Sequence, residues 1–214
     1  MVLISGAIFL LAITIHEYAH GWTANRLGDP TARLLGRLTL NPLAHLDPVG
    51  SIVLPILLII VRSPVVFGWA KPVPVEIRNL RHPKDDMVWV ALAGPGANLI
   101  AAILLSLLFR IGCGSSSLLG DIILIAIVIN LILAFFNLIP IPPLDGSRIV
   151  AGLLPDRYAY RYNQIEPFGI IILFFLLVSG VFWRLILPVA INLTSLLVDL
   201  DLLVLKQFLG LGGN

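Results

Sequence analysis

The sequence predicts an all-α polytopic membrane protein with about five transmembrane helices, a re-entrant segment and short membrane-associated β-strands. Two compositional facts and one pattern lead there. Of 214 residues, 58% are hydrophobic and 12% are charged. A soluble domain carries about 25% charge. The 14 Lys and Arg and 12 Asp and Glu found here are too few to cover a water-soluble surface while so many aliphatic side chains are hidden. The pattern is a series of apolar runs, each near the roughly 20 residues that cross a hydrocarbon core of about 30 Å. Together these exclude a disordered chain, a nucleic-acid binder and an ordinary cytosolic enzyme. The net charge of +2 carries little weight, because in a membrane protein the placement of charge matters more than its sum.

The first apolar run covers 2–22. It reads as a helix and not as a signal peptide, since it lacks a basic leading region and has His16, Glu17 and His20 where a cleavage site would stand. Residues 33–40 (RLLGRLTL) are rich in β-formers and aliphatics and end at Asn41-Pro42, which reads as a strand. The apolar stretch 49–61 is short for a span and is interrupted by Pro55. Charge arbitrates its course. If the stretch dips in and returns, ten basic residues, from Arg26 to Arg161, share one side. Arg62, Arg110 and Arg184 take the other, and Lys206 is left unassigned. If it crosses, that bias weakens. The re-entrant course is therefore favoured, with the ten-charge side cytoplasmic. Residues 65–75 read as a second strand, which Pro72 and Pro74 bar from a central position. Further spans are expected at 87–109, 118–139, 168–187 and 189–205, the last two parted by Pro188. Asp199 and Asp201 weaken the last, which would lie on the surface or cap the bundle. With no repeat and no linker, 1–214 is one membrane domain, with a core at about 1–154 and C-terminal helices at about 165–206.

The chemistry concentrates in His16-Glu17-Tyr18-Ala19-His20, an H-E-x-x-H. Residues four apart lie on one helix face, so both imidazoles can reach one ion with Glu17 beside it, a zinc arrangement with Glu as general base. Ionisable groups inside an apolar span are expensive and mark function. The competing reading is a helix end meeting lipid headgroups, which fits His20 better than His16 or Glu17. Cys113 is the single cysteine, so a further ligand must be Asp, Glu or His. Asp145 stands out. It follows Pro140, Pro142 and Pro143, which unwind the end of the third long span, and precedes Gly146, which permits unusual dihedrals. Its competing reading is an interfacial Asp capping a turn. The first and third long spans run in the same direction, so the motif and Asp145 both fall in the cytoplasmic third of the bilayer. Two His and one carboxylate would hold one zinc ion and leave a coordination position open. Glu17 would accept a proton from water activated at the metal and return it to the leaving amine. His45 is either a further ligand or a structural residue capping the next turn. The structural role is favoured, because an extra His would close the site.

At this point the chain resembles a known family. HEYAH at 16–20, GPGAN at 94–98, N-x-x-P-x-x-x-x-D-G at 137–146 and FGWAKPVPV at 67–75 are similar to the site-2 proteases, zinc-dependent intramembrane metalloproteases, and in particular to their small prokaryotic subgroup without PDZ or CBS domains. The resemblance runs from the first residues to about 154. It implies His16, His20 and Asp145 as ligands of one zinc ion and Glu17 as catalytic base. It implies that Asn98 positions substrate or stabilises the oxyanion. From the residues alone, Asn98 is equally interhelical glue on a small-residue face with Gly94, Ala97 and Ala101. Asn137 and Pro140 fit as shapers of the Asp145 segment. Residues 65–75 are the candidate edge for holding substrate as an added strand. Single-pass or polytopic membrane proteins are the implied substrates, cut in or near a transmembrane helix at the cell membrane, with the active site towards the cytoplasm. No nucleic-acid partner is expected, and homo-oligomerisation is left open. The motif begins fifteen residues after Met1, whereas family members often have a further helix before it, so gating by such a helix does not carry over. The alternative is a non-catalytic metal-binding membrane protein, either a transporter or a substrate-sequestering relative.

Overall fold

The structure is a computed structural model that describes residues 2–61, 68–111 and 118–211. The first helix, α1 (Val2–Leu27), has no proline and a nearly unbroken apolar sequence up to His16. It ends where Gly28 takes a φ of 116°, a left-handed region that favours glycine. Asp29 then fastens the end of α1 to a distant turn. It is fully buried, and it accepts hydrogen bonds from the Thr31 amide (3.0 Å), the Thr31 hydroxyl, the Glu76 amide (2.7 Å) and Asn79 Nδ2 (3.0 Å). Burial alone would raise its pKa, but the bonds from Thr31, Asn79 and the Glu76 backbone outweigh that and hold the carboxyl below its ordinary value.

A one-turn helix α2 (Thr31–Leu34) and a 3₁₀ turn (Pro42–His45) lead to a π-helical stretch (Pro48–Val53) that continues as α3 (Leu54–Ile60). Asn41 caps the 3₁₀ turn by accepting from the Leu43 amide (3.1 Å). Asp47 caps the π-helix by accepting from the amides of Val49 (3.0 Å) and Gly50 (2.6 Å). The stretch 49–61 is thus a capped apolar helix. Pro55 falls where the π-helical stretch passes into α3, and the helix continues through it.

The expected strands do not form among the described residues. Residues 33–40 turn back on themselves, with the amides of Arg37 (2.8 Å) and Leu38 (3.1 Å) both bonding the Ala32 carbonyl. In 65–75, residues 65–67 lie outside the described residues. The rest is an extended strap without a ladder. Its amides at Trp69, Lys71 and Val73 go to three different elements: the Gly50 carbonyl (3.2 Å), the His45 carbonyl (2.9 Å) and Glu17 Oε2 (2.7 Å). Pro72 and Pro74 have no N–H, so the opposite edge is left with Gly68 and Ala70 as its donors within 68–75. Residues 68–75 are extended, but among the described residues they have no partner strand.

The long helices follow. They are α4 (Pro83–Arg110) and α5 (Leu118–Asn137), then α6 (Asp145–Leu153) and α7 (Asp156–Asn163), then α8 (Glu166–Val178), α9 (Val181–Val198) and α10 (Leu202–Phe208). The spans expected at 87–109 and 118–139 match α4 and α5. Those expected at 168–187 and 189–205 need correction. The break falls at Gly180 (φ 74°), and Pro188 sits inside α9. Pro188 lies on the exposed face of α9, and the helix continues through it. Helix α9 stops at Asp199 (φ 58°), and Asp201 caps α10 through the Leu203 amide (2.7 Å).

Helices α1, α4 and α5 pack against one another, and α9 packs on α4 and α5. Their shared core includes Ala102, Ile127, Leu131, Ala190 and Ile191. Two contacts fix the direction of α9. Its first turn meets the last turn of α5, with the Phe182 and Phe136 ring centroids 5.1 Å apart. Its end meets the far end of α4, where Asp199 Oδ2 lies 3.8 Å from Arg110 Nη2. Helix α9 is therefore antiparallel to α5 and parallel to α4. Among the described residues, α4, α5 and α9 are long and apolar enough to cross a membrane. A fourth span is added if α7 and α8, bent by 61°, are counted together. Helix α1 has the length, at 26 residues, but carries His16, Glu17 and His20 in its apolar run. On α4, Ile100 and Leu104 are about 60% exposed, at 59% and 61%, with α1, α5 and α9 packed elsewhere on that helix. An apolar face of this kind belongs against lipid. The chain is a membrane protein.

Candidate metal centre

Helix α1 brings His16 and His20 to one face, and α6 brings Asp145 to meet them. Helix α6 begins at Asp145, immediately after the proline-rich turn that closes α5. His16 Nε2 and His20 Nε2 are 3.0 Å apart, and Asp145 Oδ2 is 3.1 Å from the first and 3.2 Å from the second. Both imidazoles are buried, and their rings meet edge to face. The far nitrogen of each ring is anchored. His16 Nδ1 lies 2.6 Å from Asn98 Oδ1, and His20 Nδ1 lies 2.7 Å from the Val90 carbonyl. Both partners are acceptors, so both Nδ1 atoms carry the proton and both Nε2 atoms present a lone pair.

Two lone pairs and a carboxylate oxygen thus converge with no donor between them. That arrangement is repulsive unless a cation sits among the three. A tetrahedral zinc ion with ligand bonds of about 2.0–2.1 Å holds its ligand atoms about 3.3 Å apart, close to the spacing found. Among the described residues, His16, His20 and Asp145 form the one cluster able to hold a metal ion in this way. His45 does not join it. Its ring is fully buried, with Nε2 2.9 Å from the Thr39 carbonyl, and its own carbonyl receives the Lys71 amide. The capping in this region comes from Asn41 and Asp47.

Glu17 lies beside the cluster on the wall of a chamber of about 140 Å³, which is also lined by His16, His20, Val73, Asn137, Asp145 and Arg148. Its Oε2 accepts the Val73 amide at 2.7 Å, and its Oε1 accepts no hydrogen bond among the described residues.

Comparison with known proteins adds independent weight. The family model described as Peptidase family M50 matches residues 114–180. YwhC of Bacillus subtilis (strain 168), by name a proposed zinc metalloprotease, is 42% identical over 178 residues, covering 79% of this chain and 78% of YwhC.

The chain belongs to peptidase family M50.

Rip2 of Mycolicibacterium smegmatis, also by name a proposed zinc metalloprotease, is 31% identical over 179 residues, which are 80% of this chain and 65% of Rip2. Zinc metalloprotease MJ0392 of Methanocaldococcus jannaschii is 25% identical over 156 residues, 72% of this chain and 35% of MJ0392. No solved structure matches the chain. Membership of M50 agrees with the resemblance to site-2 proteases carried by the H-E-x-x-H, GPGAN and N-x-x-P-x-x-x-x-D-G motifs.

Seen as an M50 site, the remaining expected residues take definite places. Asn98 is fully buried, with Oδ1 on His16 and Nδ2 donating to the Ala12 carbonyl (3.2 Å) and to Asn130 Oδ1 (2.8 Å). Both its amide hydrogens are thus committed. Asn137 lines the chamber and donates from Nδ2 to the Leu133 carbonyl at 3.0 Å. Pro140 is on the outside of the turn, where its carbonyl accepts the Tyr162 hydroxyl at 2.6 Å, so α7 braces the loop that carries Asp145. Gly146 needs correction. It is helical and has no positive φ. What it supplies is room, because a Cβ there would meet the Leu138 carbonyl oxygen and come within 2.6 Å of Ile139 O.

Three contributors were missed. Asn130, which extends the His16–Asn98 chain into α5, is an amide in the middle of an apolar helix and was visible on that ground. Gly94 was read as packing, yet a Cβ there would meet His20 Nε2 and come within 2.6 Å of His16 Nε2. Arg148 was counted only as a charge on one membrane face. It stands one turn after Asp145 on α6 and lines the chamber.

Proposed function

We propose that this protein is an intramembrane zinc endopeptidase that hydrolyses peptide bonds in or near transmembrane helices of membrane-protein substrates. The observation that carries the reading is the triangle of His16 Nε2, His20 Nε2 and Asp145 Oδ2, with edges of 3.0–3.2 Å, set among apolar helices. His16, His20 and Asp145 would hold one zinc ion. When bound, zinc polarises a carbonyl and makes water acidic enough to attack at neutral pH.

The chain's own groups supply the rest. The Val73 amide fixes one oxygen of Glu17, which leaves Oε1 to take a proton and hand it to the leaving amine. Asn98 holds His16 in the tautomer whose Nε2 faces the metal, which makes it a positioning residue rather than an oxyanion donor. Replacing it by Ala is expected to weaken zinc binding by about 10–100-fold, as read by competition with a fluorescent chelator. A fall in kcat at unchanged zinc affinity would restore the oxyanion role.

In this reading α1, α4, α5 and α9 cross the bilayer and α3 dips into it. The direction of α9 moves Arg184, near its start, to the side of the ten clustered basic residues, which strengthens the bias that marks that side as cytoplasmic. The site lies towards that side and is reached by water from it.

The test uses the full chain in detergent with a transmembrane reporter peptide. Cleavage is expected, lost on chelation and regained on adding zinc. Cleavage insensitive to chelators overturns the proposal. Zinc binding without cleavage favours a non-catalytic metal-binding membrane protein.

A further inference from the structure

The tetrahedral stage of peptide hydrolysis places negative charge on the former carbonyl oxygen, and a donor aimed at that oxygen adds to the stabilisation a metal would supply. Asn98 is not that donor, because Ala12 and Asn130 take both its amide hydrogens. The chamber wall carries three ionisable groups that are not imidazoles: Glu17, Asp145 and Arg148. Arg148 is thus the cation of the wall among the described residues. Its guanidinium has no hydrogen-bond or ion-pair partner among them, although Asp145 lies one turn away on the same helix. Arg148 is exposed and without a partner among the described residues, so its side chain is available to a ligand in the chamber or the groove.

Its position is also at a junction. A larger groove of about 490 Å³ runs between the start of α4 and helices α6 and α7, lined by residues including Lys84, Met87, Ser147, Gly152 and Tyr160. Arg148 and Pro143 line both the groove and the chamber, so a peptide lying in the groove reaches the metal cluster past these two residues.

Resting on the zinc-peptidase reading above, we propose that Arg148 is a catalytic residue. It donates to the scissile carbonyl oxygen as that oxygen takes up charge, and it holds its position from α6, the helix that also carries Asp145. Asn137 is the competing donor on the same wall. One of its amide hydrogens goes to the Leu133 carbonyl, and it has no charge to set against an anion.

The experiment measures binding to the full-length, zinc-loaded protein in detergent with two probes, an N-phosphoryl dipeptide and a dipeptide hydroxamate. The first carries tetrahedral anionic oxygens and the second does not. Arg148→Ala is expected to weaken the N-phosphoryl probe by about 10²-fold or more, to change the hydroxamate less than about 3-fold, and to keep one zinc per chain. Arg148→Lys should recover part of the loss, because it keeps the charge but not the fork of donors. On the reporter peptide, kcat should fall while KM stays within about 3-fold. Equal weakening of both probes makes Arg148 a general groove contact and overturns the assignment. So does wild-type binding of both, which leaves it a charge at the membrane face. So does loss of N-phosphoryl binding in Asn137→Ala with Arg148→Ala unchanged. A wild-type protein that holds no zinc overturns the peptidase reading and this assignment together, whereas a wild-type protein that binds both probes with Arg148→Ala unaffected overturns this assignment alone.

Discussion

Glu17→Gln is expected to reduce cleavage of a transmembrane reporter by about 10³-fold, within the 10²–10⁴ range of general acid–base catalysis, while zinc content stays at one per chain. The reason lies in how the side chain is held. The Val73 amide binds Glu17 Oε2 at 2.7 Å, and a Gln carbonyl accepts the same bond without moving. The amide nitrogen then stands where Oε1 stood and can take no proton. His16, His20 and Asp145 are untouched, so the metal centre should form as before. The measurement pairs single-turnover cleavage with zinc quantified by mass spectrometry on the same sample. Cleavage above about a tenth of wild type would remove Glu17 from the mechanism. Loss of zinc would show instead that Glu17 helps to hold the metal, and Glu17→Asp would then be the variant to compare.

The parts of the fold that were legible in the sequence are those fixed by long-range apolar pattern. Helices α4 and α5 are long, predominantly apolar segments, and the bilayer demands a helix from such a segment because a helix satisfies its own backbone. What was misread turned on single residues whose effect depends on their neighbours. Pro188 looks like a boundary, but it lies on the exposed face of α9, which continues through it, and the true break is Gly180, where a left-handed φ is needed. Residues 68–75 have strand composition, but a strand is defined by its partner. Here the partners are Gly50, His45 and Glu17, three groups on three different elements. No local pattern records that.

The site was legible to a different depth in each of its layers. His16, His20 and Glu17 announce themselves because charge within an apolar span has to be justified. Asp145 followed from the prolines before it. The groups that hold these side chains in place were hidden, because they use ordinary chemistry. The Val90 carbonyl that orients His20 is backbone and leaves no trace in a sequence. Asn98 was seen, but whether its amide meets a helix or an imidazole depends on the packing of α1 on α4. Gly94 was the least legible, because its contribution is the absence of a side chain.

That absence leads to the second large effect, a contrast within the single motif GPGAN. Gly94→Ala is expected to abolish stoichiometric zinc binding, and Gly96→Ala to leave it intact. At position 94 a Cβ would meet His20 Nε2 and come within 2.6 Å of both His16 Nε2 and His16 Cε1, the place where the ligand atoms converge. The rings cannot yield without cost. His16 would give up a 2.6 Å bond to Asn98, and His20 a 2.7 Å bond to the Val90 carbonyl. Displacing anchored ligands should lower zinc affinity by about 100-fold or more, at or beyond the upper end of the range for losing an outer partner. At position 96 no heavy atom lies within 4 Å of the added Cβ. Alanine there simply exchanges a poor helix former for a good one, worth roughly 0.5–1 kcal/mol in an exposed helix, so Gly96→Ala should keep one zinc and melt no lower than wild type. Chelator competition and thermal unfolding in detergent separate the cases. If Gly94→Ala binds zinc as wild type does, the imidazoles are not held where the structure puts them, and the arrangement of His16, His20 and Asp145 as a preformed metal centre is wrong. If both variants lose zinc equally, the effect belongs to α4 as a helix and not to the space that Gly94 leaves open.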